Sequence, residues 1–477
     1  MITVTRSDIK IEANAEKVIP LYLYIRNKNR IRRIVSDVLS MNEKVVEIIL
    51  NQVLDEFGSR HIGFRKVLLR NYHSIEKYIT SKKTLSLSRK LLLGSYFTKE
   101  YSVESAAVFN PSIVRHPDQN GLANGDFRFI LSLRATGEGH ISSIEFTSGI
   151  ISKTGEITLD PMPSKLAGSY RSASLQFSKD FIVKRAKYYD DFNTSVFKYL
   201  PEQFSRNKAA QIISDAAESI KNNYTATKEA LYDILDTNYD ISFDKETALG
   251  NRVIFPQSAE ESGGIEDARF VEFSDQDKTT YIGTYTAYYR EEIKSKIIET
   301  GDFISFRIRS LYGRAVLGKG MALFPEKING KYAMISRQGD ENLSIMYSDD
   351  LYFWDAYKTI QKPEREWELI QLGNYGSPVK TPSGWLLLTH GVGPLRKYVI
   401  SASLLDLYNP EVVLATLDKP FIYANADERK DYVPNAVYTC GIMQHFDNLI
   451  IPYAMSDSAV SFARVNIHLL IDELLSK

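Results

Sequence analysis

Residues 263–269 read Gly-Gly-Ile-Glu-Asp-Ala-Arg, so two adjacent carboxylates, Glu266 and Asp267, stand just before a guanidinium, Arg269. A strand-like run, Phe270 to Phe273, follows. An arginine two residues from Asp267 shares its strand face and holds its carboxyl in the charged form. Adjacent strand residues point to opposite faces, so a regular strand would offer a pocket only one of the two carboxylates. A carboxyl with a tuned pKa suits general acid work. The same residues would serve equally as an ion pair bracing a turn. Cations gather elsewhere: Lys319 between Gly318 and Gly320, Arg337 closing the run from Tyr332, and His390 closing the run from Trp385. Lys, Arg and His together suit a phosphate-type oxyanion. Residues 137–146 place Glu138, His140 and Glu145 across one hairpin, as sugar ligands, a base or polar pairs of the turn. The seven histidines do not cluster, so neither a metal nor an organic cofactor is expected. There is no P-loop, dinucleotide fingerprint or Gly-x-Ser-x-Gly.

What would bring such scattered residues together is a repeat. Five times a tight polar turn feeds a short apolar strand that ends in a polar residue. The copies run from Asn124 to Arg134, Asp277 to Tyr288, Asn329 to Arg337, Ser383 to His390 and Asp447 to Asp457. Their partners are His140 to Phe146, Phe303 to Leu311, Leu343 to Tyr347, Tyr398 to Leu404 and Val460 to Ile467. Asn-Gly and Asp-Asn before alternating apolar residues are hairpin signals, and hairpins at a regular period read as successive propeller blades. The expected fold is all-β: a five-bladed β-propeller over 101–477, with a helical N-terminal region over 1–100. Arg134, Tyr285, Arg337, His390 and Asp457 would then face one another near the axis. Helical stripes between 177 and 237, such as Ala209, Ile212, Ile213 and Ala216, predict helices inserted after the first blade. These would lid the pocket or make a homo-oligomer contact.

Acidic and basic residues balance at 59 each, which argues against nucleic-acid binding by bulk electrostatics. The N-terminus lacks a basic stretch followed by an apolar one, and no run is apolar enough to span a bilayer, so a cytoplasmic protein without a membrane partner is expected. The single cysteine, Cys440, reads as a small core residue.

In order, Asn110-Pro111-Ser112, Arg134-Ala135, Gly264 to Arg269, Leu323 to Met334, Tyr347 to Leu351 with Trp354, Gly384 to Gly391, Ser403 to Leu407 and Val433 to Val437 with Cys440-Gly441 resemble glycoside hydrolase family 130. That family comprises the β-mannoside phosphorylases and related β-mannosidases, and the resemblance covers roughly 105–470. It implies a five-bladed propeller. It also implies cleavage of β-mannosidic bonds in manno-oligosaccharides with inversion, by phosphorolysis to mannose 1-phosphate, with inorganic phosphate as co-substrate. By the same resemblance Asp267 is the catalytic acid, acting through the mannose 3-hydroxyl. Asn110, Arg134, Glu266 and Asp457 hold the mannosyl unit, and Lys319, Arg337, His390 and Tyr398 bind phosphate. The chain departs from the family pattern at Ala268, at Lys319-Gly320 and over Gln338–Asn342. These departures keep an inverting hydrolase open, with Glu138, Glu145 or Glu266 activating water. A non-catalytic glycan-binding propeller is the remaining alternative.

Overall fold

The computed structural model describes all residues except 1, 80–83, 173, 277, 291, 431–432 and 477. It is mostly strand. Five sheets of four to six strands follow one another along the chain. The first is built on Ala107–Arg115, Phe127–Thr136 and Ser142–Ile151, and the second on Ile265–Asp275, Lys278–Tyr289, Glu292–Thr300 and Ser305–Ser310. The third centres on Tyr332–Gln338 and Asn342–Ser348, the fourth on Gly384–Gly393 and Lys397–Leu405, and the fifth on Asn448–Met455 and Ala459–Asn466.

Turn chemistry sets these hairpins locally. Asn329 and Gly330 both have left-handed backbone (φ 51° and 81°), as a type I′ turn requires, and Ile328 and Lys331 exchange backbone hydrogen bonds across them. In the second sheet the expected partner was misplaced. Lys278–Tyr289 pairs with Glu292–Thr300, and the run from Phe303 supplies only the next strand. Asp277, the expected start of that hairpin, lies outside the described residues.

Each sheet buries apolar side chains against the next. One cluster joins Ile130 and Phe146 of the first sheet to Phe270 and Tyr281 of the second. Another joins Ile282 and Ile297 to Met334 and Met346 of the third, and a third joins Ile335 and Ile345 to Leu387 and Leu405 of the fourth. Leu388 and Ile400 of the fourth meet Ile451 and Tyr453 of the fifth, and Ile450 and Phe462 of the fifth meet Phe129 and Leu131 of the first. Backbone atoms also link inner strands of different sheets. The Phe270 amide donates to Ser112 Oγ (3.1 Å), and the Cys440 amide donates to the Pro111 carbonyl (2.7 Å).

The N-terminal part is not helical throughout. Thr5–Arg6 and Ile11–Glu12 pair with Ala459–Asn466 and so belong to the fifth sheet, while Val18–Tyr22 pairs with Thr98–Ser102. Between those last two strands lie helices Lys28–Ser40, Glu43–Phe57, Phe64–Ile75 and Leu87–Tyr96, each with an apolar stripe turned to a shared core. Helices Lys179–Ala186, Ala209–Ala216 and Tyr224–Thr237, around their own core, lie between Tyr170–Arg171 and Tyr239–Ser242 of the second sheet. The chain then returns to the first sheet at Arg252–Ile254, so it has not left that sheet before the helices, as was expected. The helices are braced to the third sheet by Arg185, buried among Phe181, Tyr312, Tyr352 and Phe353. Among the described residues no helix is long and apolar enough to cross a membrane.

Candidate active site

The strand Ile265–Asp275 is entered through Gly264, whose backbone (φ 114°) and closeness to the Ser142 amide (2.7 Å from a built Cβ) admit glycine alone. Pairing with the neighbouring strand runs Ile265 to Ala287 and Glu266 to Thr286, then resumes at Arg269 with Thr284. Asp267 and Ala268 form a bulge between them, and Asp267 takes a left-handed conformation (φ 58°). The bulge cancels the alternation expected of a plain strand. Glu266 and Asp267 therefore both reach Arg134: Nη1 contacts Glu266 Oε2 and lies 3.8 Å from Asp267 Oδ1.

Asn110 sits in a matching irregularity between Phe109 and Ser112, also left-handed (φ 49°), and its Nδ2 donates to Asp267 Oδ1. Arg269 clamps Asp267 from behind, with Nη1 donating to the Asp267 carbonyl (3.0 Å) and Nη2 standing 3.6 Å from Oδ2. Lys319 Nζ is 2.8 Å from Glu266 Oε1 and also contacts the Tyr288 hydroxyl. Asp457 (φ 52°) follows Asn448–Met455. Non-glycine residues in this conformation are strained by about 1–3 kcal/mol each and persist where surrounding structure enforces them. Here three of them, Asn110, Asp267 and Asp457, are the very residues in question.

Charge balance sets their protonation. Burial pushes the Asp267 carboxyl up, but Arg269, Arg134, Lys319 and the Asn110 amide outweigh it and hold Asp267 below the usual range. Asp457 goes the other way. Burial pushes it up to about 6, with Asp267 adding to the rise and Arg134 opposing it.

Arg337 and His390 lie together on the third and fourth sheets. Gly373 makes the room: a Cβ there would come 2.4 Å from His390 Cε1 and 3.2 Å from Arg337 Cδ. Gly320, one of the departures from the family pattern, has a left-handed backbone (φ 80°), and a Cβ there would lie 3.4 Å from Arg337 Cβ. Arg337 is buried, with Nη2 3.8 Å from Asp340 Oδ1, and its Nε has no partner among the described residues. The His390 ring is boxed by Tyr375, Tyr438 and Tyr398, at centroid distances of 4.9, 5.6 and 6.0 Å. Neither ring nitrogen makes a well-aligned hydrogen bond among the described residues, although the Asn374 backbone lies close enough to act on the ring. Burial, then the Arg337 and Arg269 cations, push His390 well below its ordinary range, and the Asn374 backbone offsets this only in part. The ring is therefore neutral, which corrects its expected role as a third cation: it offers one donor and one acceptor instead.

Three further expectations fail. Tyr285 faces the core, where its hydroxyl donates to Glu261 (2.6 Å) beside Tyr239. Tyr288, three residues on, is the one that meets Lys319. Glu145 lies on the far side of its sheet. Its neighbour Ile144 pairs with Arg134 whereas Glu145 pairs with Leu133, and its carboxylate is buried 3.0 Å from Lys17, which also holds Glu104 (2.6 Å). Glu138 is exposed in a short turn 3.7 Å from Lys99. Neither Glu138 nor Glu145 joins Asp267. Tyr438, which accepts from Arg269 Nη2 (2.9 Å), and Tyr375 were not singled out from the sequence, because nothing local distinguishes them from core tyrosines.

The family model described as beta-1,4-mannooligosaccharide phosphorylase, that of glycoside hydrolase family 130, matches residues 177–475. The chain belongs to glycoside hydrolase family 130. A 1,2-beta-oligomannan phosphorylase of Thermoanaerobacter sp. (strain X514) is 31% identical over 223 residues, 45% of this chain and 72% of that protein. A beta-1,2-mannobiose phosphorylase of Listeria innocua is 30% identical over 228 residues, 46% of this chain and 63% of that protein. A solved structure of the Listeria innocua beta-1,2-mannobiose phosphorylase with beta-1,2-mannobiose aligns at 21% identity and TM-score 0.47, covering 79% of this chain and 94% of that one. The family match spans the inserted helices and begins after Asn110 and Arg134. Those two residues are nonetheless held against Asp267.

Proposed function

We propose that this family 130 enzyme cleaves β-mannosidic bonds by phosphorolysis, with Asp267 as the acid and Lys319, Arg337, His390 and Tyr398 holding phosphate. The observation that carries the reading is the placement of a buried, incompletely paired Arg337 and a neutral His390 beside the cationic side of the Asp267 bulge. Asn110, Arg134 and Asp457 would hold the mannosyl unit. A phosphate oxygen would bond to the anomeric carbon as the glycosidic C–O bond breaks. Asp267 would deliver a proton to the leaving oxygen, relayed by a mannose hydroxyl. Before phosphate binds, the cations keep Asp267 ionised. An oxyanion beside Lys319 and Arg337 cancels part of that field and raises Asp267 toward the protonated form an acid requires.

The hydrolytic alternative has lost two of its three bases. Glu138 and Glu145 lie elsewhere, and Glu266 is engaged by Arg134 and Lys319. A five-bladed propeller is the arrangement that supports this reading best. What favours it is the succession of five shared cores, in which the fifth sheet packs on the first.

The test is cleavage of β-linked mannobiose with and without phosphate. Turnover should require phosphate and yield mannose 1-phosphate. Arg337→Ala should weaken apparent phosphate affinity by about one to two decades, as expected for a lost charge-assisted hydrogen bond of roughly 1.5–3 kcal/mol. Equal rates without phosphate, with free mannose as the product, would establish the hydrolase instead.

A further inference from the structure

A cavity of about 530 Å³ opens beside Arg134 and Asp457. That size falls within the roughly 300–1,000 Å³ of small-ligand pockets. Its apolar lining is Ala106, Ala107 and the Phe109 ring, over which the Arg134 guanidinium sits at 4.6 Å. Its polar lining includes Thr136 and His140 from the first sheet's hairpin, and Glu12 from the strand Ile11–Glu12. Glu12 is brought there by pairing with Ala459, two residues beyond Asp457. His140 is placed by a turn in which Gly139 and His140 are both left-handed (φ 69° and 59°).

An apolar lining together with hydroxyl-binding groups is what a sugar ring needs, since its C–H faces are apolar and its equator is lined with hydroxyls. The cavity meets the side of the site where Arg134 and Asp457 stand, and not the side of Lys319, Arg337 and His390. Its walls, apart from Asp457 to Ala459, all precede residue 177, where the family match begins.

We infer that this cavity receives the sugar or short oligosaccharide on the leaving side of the scissile bond, and that Glu12 and His140 select it by hydrogen-bonding its hydroxyls. The inference rests on the mannoside reading above. It gives the N-terminal strand a task in specificity: Glu12 is set against the substrate only because that strand completes the fifth sheet. A charged carboxylate accepts from neighbouring sugar hydroxyls more strongly than a neutral group does.

The experiment measures the reverse reaction, mannosyl transfer from mannose 1-phosphate to mannose, together with calorimetric titration of β-linked mannobiose. Wild type, Glu12→Gln, Glu12→Ala and His140→Ala are compared. Glu12→Ala should raise KM for the acceptor roughly tenfold while KM for mannose 1-phosphate changes less than twofold, with Glu12→Gln intermediate. Mannobiose affinity should fall by the same factor. If wild type binds mannobiose and all three variants keep its affinity and acceptor KM within twofold, the inference is wrong and the mannoside reading survives. If wild type neither binds mannobiose nor transfers mannose, the mannoside reading fails, and the inference with it.

Discussion

Glu266 and Asp267 share Arg134, with Arg269 and Lys319 also in reach; Glu104 and Glu145 share Lys17 alone. Both are pairs of carboxylates placed against cations in the same molecule; in the sequence Glu266, Asp267 and Glu145 stood out as candidates for chemistry, and Glu104 did not. At the first pair cations are in excess, so Asp267 is held in its charged form despite burial. At the second one lysine serves two acids, so burial and the Glu104 charge push Glu145 up to about 8, which favours its protonated form. Lys17, Glu104 and Glu145 are each at most 3% exposed, between the first sheet and the N-terminal segment, and none has a left-handed backbone. Arg134 is 21% exposed at its side chain and faces a cavity, and its partners sit on strained bulges. Carboxylates beside a cation are thus common to a site and to a brace. What separates them is the sign of the charge balance, the backbone geometry and an opening to solvent.

The sharpest way to break this contrast is to remove one acid from each pair. Asp267→Asn should lower turnover of β-linked mannobiose by about 10²–10⁴-fold, the range for a lost general acid, with the protein still folded by circular dichroism. Glu145→Gln should leave kcat within about twofold. If the second variant loses activity like the first, the two pairs are not distinct in role.

Lys17→Met attacks the brace. It leaves Glu104 buried without its cation, and loss of one member of such a set costs about 3–5 kcal/mol. Urea unfolding should show a lowered midpoint at unchanged slope, while the remaining folded fraction keeps its kcat.

The pH dependence of stability sharpens the comparison further, because the two acids carry opposite signs. Asp267 is depressed, so its contribution is present above the unfolded value of 3.8 and is lost as pH falls through its lower folded value. Glu145 is raised, so folding is favoured below the unfolded value of 4.5, and that advantage is lost as pH climbs from there toward about 8. Glu145→Gln should therefore flatten the fall in stability between pH 5 and 8. A wild-type-like slope in that variant would show that Glu145 is ionised in the folded protein. The smallest effect belongs to Asp457→Asn. Because Asp457 titrates near 6, its substitution should relieve a modest cost of ionisation above that pH while weakening mannobiose binding.

Much of this was legible in the sequence, for reasons that can be named. Asn329-Gly330 signalled its turn because few other pairs adopt two left-handed residues in succession. The hairpins around Arg134, Arg337, His390 and Asp457 followed from period-two alternation. What was not legible came from two sources. Alternation assumes a regular ladder, so the bulge that turns Glu266 and Asp267 to the same cation could not be read from residue types. Burial is also a property of the assembled fold. Nothing within residues 137–146 says that Glu145 meets Lys17, or that His390 is enclosed by three tyrosines and kept neutral.

The pairing of Thr5–Arg6 and Ile11–Glu12 with Ala459–Asn466 has a consequence for biosynthesis. During translation the strands Thr5–Arg6 and Ile11–Glu12 must remain unpaired until Ala459–Asn466 has been made, because that strand is their partner. The nascent chain can fold its hairpins one by one, since each is local. The seam between these segments forms only then, with the slow closure typical of contacts distant along the chain. Until then Glu12 is absent from the wall of the cavity beside Arg134 and Asp457, so that cavity is completed late in folding.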